Sequence, residues 1–178
     1  MNKPLFAKVA VIASLAALGT FAASANAATA TSTFQVQMTI TSSCAVTTAP
    51  TNINLGSVAA QTAAVTQTGS NTFKVNCSKN TPFYIGLAPS NASTAGTGVM
   101  SGTGSNTDQV PYTLYSDSAY SVVWGNTATS SAVGNGKSGT GLGMASGKAV
   151  SFTAYAKAVN ADFTPDTYTD TVTVNVNY

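Results

Sequence analysis

The chain has 178 residues, seven basic and five acidic side chains, a formal net charge of +2 and no histidine. With only 7% of its residues charged, it has no basic field with which to hold nucleic acid or an anionic membrane surface. The missing histidine removes the base that Ser-His-Asp and Cys-His catalysis require.

Residues 1–27 read as a secretory signal peptide, with Lys3 and Lys8 in a basic start, an apolar run from Val9 to Phe21, and Ala25-Asn26-Ala27 as the cleavage site. The run is shorter than the roughly 20 residues a membrane-spanning helix needs. The mature chain is then expected to begin at Ala28 and to have the length of one domain. Loss of Lys3 and Lys8 leaves Lys74, Lys79, Lys137, Lys148 and Lys157 against Asp108, Asp117, Asp162, Asp166 and Asp170, so its net charge is near zero.

The first element is a strand over Thr33 to Thr41, with Phe34, Val36, Met38 and Ile40 on one face and Gln35, Gln37 and Thr39 on the other. So apolar a face so near the start of the mature chain needs a groove to enter. Cys44 and Cys77 follow as the only two cysteines, and in an oxidising compartment a single disulfide is the simplest reading. Two cysteines without histidine do not complete a usual zinc shell. Closing a loop of this length stabilises a fold by roughly 4 kcal/mol in the chain-entropy model.

Ile53 to Val58 reads as a small edge strand. Thr72 to Cys77 places Phe73, Val75 and Cys77 inward, with Lys74 and Asn76 opposite. A strand starting at Pro82 alternates Phe83, Ile85 and Leu87 before Pro89 stops it. Ser90 to Asp108 is loop with a short strand at Met100, Val110 to Tyr115 resumes alternation, and Ser121 to Gly125 carries the single tryptophan, Trp124. Asn126 to Gly147 reads as a glycine-rich loop, and Lys148 to Lys157 as a strand with Val150, Phe152, Ala154 and Ala156 facing in. In the last segment, Thr167 to Tyr178, Val172, Val174, Val176 and Tyr178 share one face. Short alternating strands, polar turns and a buried disulfide together predict an all-β, Greek-key β-sandwich of immunoglobulin type.

Residues with chemical potential have plainer readings. Asp162, Asp166 and Asp170 surround Pro165 and read as turn residues rather than as a calcium site. Gly134 to Ser138 lacks the strand and helix that a phosphate loop requires. Asn91-Ala92-Ser93 matches a glycosylation tripeptide in a region where Asn and Ser abound. Trp124 with Tyr112, Tyr115 and Tyr120 fits core and edge packing better than a sugar platform. No catalytic, cofactor-binding or metal site and no small-molecule substrate is assigned, and an enzyme is not expected.

The residues Cys44-Ala45-Val46, Ile53-Asn54-Leu55-Gly56, Val75-Asn76-Cys77, Tyr84-Ile85-Gly86-Leu87, Tyr112 to Asp117, Trp124-Gly125 and Tyr168 to Val172 stand in an order that resembles the spore coat protein U family. The pattern is similar in particular to the Csu-type major rod subunits of archaic chaperone–usher pili. The resemblance implies an immunoglobulin-like sandwich lacking its seventh strand and completed by donor-strand complementation. It implies a donor strand at residues 28–41, with Phe34, Val36, Met38 and Ile40 entering, and a sandwich domain at 42–178 whose acceptor edge is Val172, Val174, Val176 and Tyr178. The partners implied are identical or related subunits, a periplasmic chaperone and an outer-membrane usher, and the destination is a surface fimbrium serving adhesion and biofilm formation. A monomeric secreted or tip-located adhesin-like module, or a coat protein, is the alternative.

Overall fold

The computed structural model describes residues 28–178, so the expected signal peptide at 1–27 lies outside the described residues. The chain divides after Met38 into two units. In the described part of the first, residues 28–38, there is no regular secondary structure and every residue is exposed. The sequence predicts a strand over Thr33 to Thr41, but no ladder forms there. Phe34, Val36, Met38 and Ile40 are 79–89% exposed.

The second unit is a two-sheet sandwich. Its strands are β1 (Cys44–Thr48), β2 (Gln67–Cys77), β3 (Pro82–Pro89), β4 (Thr97–Ser101), β5 (Gln109–Tyr115), β6 (Lys137–Thr140), β7 (Val150–Ala158) and β8 (Val172–Asn177). One sheet has the order β1-β2-β7-β5-β4 and the other β6-β3-β8, and every pairing is antiparallel. The chain crosses repeatedly between the sheets, as the Greek-key reading expects. The β-branched and aromatic residues that favour strands face each other across the interior, from Phe73 and Val75 on β2 through Phe83 and Ile85 on β3 to Phe152 on β7.

Trp124 is fully buried in this core, with its indole Nε1 donating to the Ile85 carbonyl at 2.8 Å. Cys44 and Cys77 face each other in the β1–β2 register and are joined by a disulfide. The two short pieces that loop-like composition hid are β6 and a single 3-10 turn, Ser146–Lys148. Asn76, expected on the solvent face, is buried. The chain at Gly143 to Ala145 folds over it, and its carboxamide donates to both of their carbonyls while accepting from Thr47.

Candidate functional site: a groove beside the last strand

β8 pairs with β3 on one side only, which leaves its other edge without a partner strand among the described residues. Ile53 to Val58, predicted as an edge strand, is irregular instead. Asn54 Oδ1 accepts from the Gly56 amide at 2.8 Å, and Gly56 adopts a φ of 83°, a local turn that competes with a ladder. Ile53 and Leu55 still pack against the core, so the apolar pattern was informative although the ladder is missing.

Between this segment and β8 runs a groove of about 490 Å³. Val172 and Val174 form one wall, Ile53 and Leu55 the other, and Ala154 and Ala156 of β7 the floor. Phe73 lies at one end, and Met100, Tyr112 and Asp170 line the other. Of the expected acceptor edge, Val172 and Val174 therefore line the groove. Val176 packs against the core without lining the groove, and Tyr178 lies beyond β8 and is 49% exposed.

Polar contacts fix the far end. Tyr112 donates its hydroxyl to Asp170 at 2.5 Å, tying β5 to the residues that lead into β8. Burial first, then the hydrogen bond and charge of Asp170, push the Tyr112 phenol well above its ordinary pKa, so it stays a donor at any ordinary pH. The Tyr112 ring occupies the space that a side chain at the facing Gly98 would fill, and this close approach requires the glycine. Below it, Asp166 accepts from the Thr103 hydroxyl and amide, from Asn106 Nδ2 and from the Thr167 amide. Those bonds, the Thr103 and Asn106 side chains first, hold its carboxyl well below the usual range. Ser101 and Thr169 exchange backbone bonds beside it.

Among the described residues no group of three acidic or thiol side chains converges to hold a metal ion. Lys137 and Ser138 begin β6, so Gly134 leads into a strand and not into the helix a phosphate loop requires. Trp124 and Tyr112 are core residues, whereas Tyr115, Tyr120 and Tyr155 meet edge to face on the outer surface of the five-stranded sheet. Sequence reasoning missed Asn71, which lines the groove. Its inward position on β2 follows from alternation once the strand is extended back to Gln67.

The model of the Spore Coat Protein U domain matches residues 30–175, nearly the whole described chain. The chain belongs to this family. No curated protein matches it. Among solved structures, this Spore Coat Protein U domain is similar to the CsuC–CsuE chaperone–tip adhesion subunit pre-assembly complex of archaic chaperone–usher Csu pili from Acinetobacter baumannii. The identity is 19% and the TM-score 0.43, with 79% of this chain and 41% of that chain covered. The chain thus spans less than half the length of that one, and so distant a likeness adds nothing to the functional argument.

Proposed function

We propose that this Spore Coat Protein U domain is a structural subunit of an archaic chaperone–usher pilus rod, polymerising when residues 28–41 of one copy enter the groove of the next. The observation that carries the reading is the unpaired edge of β8 bordering a groove walled by Val172, Val174, Ile53 and Leu55, in a chain that also exposes Phe34, Val36, Met38 and Ile40. An entering strand takes affinity from backbone hydrogen bonds along the free edge, and specificity from alternate side chains seated in the groove. Burying the four side chains at about 1.5–3 kcal/mol each yields roughly 6–12 kcal/mol before the ordering of the strand is subtracted.

Head-to-tail addition does not close on itself and therefore builds a fibre. An exposed strand edge, ordinarily an aggregation hazard, becomes the assembly device. A subunit with so open an edge needs protection before assembly, which is the role of a periplasmic chaperone, with an outer-membrane usher at the site of export. Export through a signal at residues 1–27, a place in a surface fimbrium and service in adhesion and biofilm formation belong to the same reading. Val36→Asp or Met38→Asp is expected to abolish SDS-resistant polymers and surface fibres while secretion continues. Normal fibres from either variant would overturn the donor assignment, and a lone monomer from the unaltered chain would favour a secreted binding module.

A further inference from the structure

Two observations inside the groove agree on a single register for the entering strand, and the inference rests on the strand-addition reading above. The facing pairs of β2 and β7 run Phe73 with Phe152, Asn71 with Ala154, and Gly69 with Ala156. Side-chain bulk therefore falls from two aromatic rings to almost nothing within two steps. Ile53 lies over Gly69, which leaves the room above Ala156. One step back, Asn71 donates through Nδ2 to the Thr51 carbonyl at 2.7 Å, while its Oδ1 is buried and finds no partner among the described residues. A buried acceptor that water does not reach is unfavourable until a donor arrives.

The apolar face of residues 28–41 carries, at alternate positions, Ala28, Ala30, Ser32, Phe34, Val36, Met38 and Ile40. Ser32 is the only one whose side chain donates a hydrogen bond, and Phe34, two residues on, is the largest. The same two-residue step separates Ala154 from Ala156. We propose that Ser32 of an incoming copy donates its hydroxyl to Asn71 Oδ1 while Phe34 seats over Ala156, so that Asn71 and Ala156 select the donor and fix its register. To accept, Asn71 turns its carboxamide into the groove and gives up its bond to the Thr51 carbonyl. Moving from Ala154 to Ala156 leads toward the Tyr112–Asp170 contact, where β8 begins, so the entering strand runs antiparallel to β8. A two-residue slip would keep the apolar face inward but lose both contacts.

The test uses the purified mature chain, with the rate of SDS-resistant polymer formation as readout. Ala156→Leu is expected to slow assembly at least about tenfold, and adding Phe34→Ala in the same chain to recover most of that loss. Ser32→Ala and Asn71→Ala each slow assembly by about tenfold, and the double variant is no slower than the slower single one. Near-ultraviolet circular dichroism reports whether each variant folds, and Ala156→Val replaces Ala156→Leu if the larger residue prevents folding. If Phe34→Ala rescues Ala154→Leu instead, or if the Ser32 and Asn71 effects simply add, the register is wrong although strand addition stands. If Val36→Asp chains polymerise normally, strand addition fails and the register with it.

Discussion

The two ends of the sandwich are built from the same strands and filled in opposite ways. At one end Phe73, Phe83, Trp124 and Phe152 pack with ring centroids 5.9–6.4 Å apart, and all four are buried. At the other, β7 offers only Ala154 and Ala156 to a groove of about 490 Å³. Interiors are normally packed as densely as organic crystals. An interior that is dense at one end and open along an unpaired edge at the other is therefore a rigid seat joined to a receptive site, and the dense end is what allows the open end to exist.

That contrast breaks most visibly at the dense end. Trp124→Ala removes the largest ring of this cluster and its bond to Ile85, and is expected to lower stability by about 3–5 kcal/mol, read as a fall in the urea midpoint. A loss below about 1 kcal/mol would mean that the aromatic end is not the foundation assigned to it. The disulfide belongs to the same end, since Cys77 lies past Phe73 and Val75 on β2. Replacing both cysteines by serine is expected to remove about 2–4 kcal/mol, chiefly by freeing the unfolded chain. The proper comparison is oxidised wild type against the double variant, because the reduced wild type should match the variant within about 1 kcal/mol.

How much of this was legible in the sequence also differs between the ends. Alternation fixes which face a residue takes, so Phe73, Val75, Phe152, Ala154, Ala156, Val172 and Val174 were readable as inward residues, and the two cysteines as a pair. Alternation does not say what covers a face. Asn76 was assigned to solvent because the segment that buries it, Gly143 to Ala145, is distant in sequence and has no periodicity of its own. Nor does an apolar pattern ensure a ladder. The Asn54–Gly56 turn defeats pairing at Ile53 and Leu55 while leaving both side chains facing the core. The groove was implied by family resemblance, but its alanine floor, the Asn71 carboxamide and the Tyr112–Asp170 clasp depend on which elements meet across the interior.

The clasp gives a sharper and smaller test of the open end. Tyr112→Phe keeps the ring against Gly98 and deletes only the bond to Asp170, and is expected to cost about 1–2 kcal/mol. The partly exposed carboxylate recovers water, which keeps the loss modest. Trp124 fluorescence in the folded variant should match wild type. A changed emission would show that the two ends are coupled more tightly than their packing suggests.

Acid should act on the open end by a different route and with the least effect. Asp166 anchors the Thr103–Asn106 loop to the residues before Tyr168, and its carboxyl titrates below the ordinary value because the Thr103 and Asn106 side chains and backbone amides favour the charged form. Asp108 and Asp117 are lowered as well, chiefly by the Thr164 and Val122 amides respectively. A carboxylate with a depressed folded pKa contributes stability above its unfolded value, near pH 4, and that contribution disappears as the pH falls through the folded pKa. Stability should therefore be flat from neutrality to about pH 5 and decline below about pH 4. Asp166→Asn is expected to be less stable than wild type at neutral pH and to lose less on acidification, so the gap between their urea midpoints narrows as the pH falls. A constant gap from neutral to acid would mean that the carboxylate charge does not hold this loop. The open end would then owe its shape to the backbone bonds between Ser101 and Thr169 and to the Tyr112 clasp.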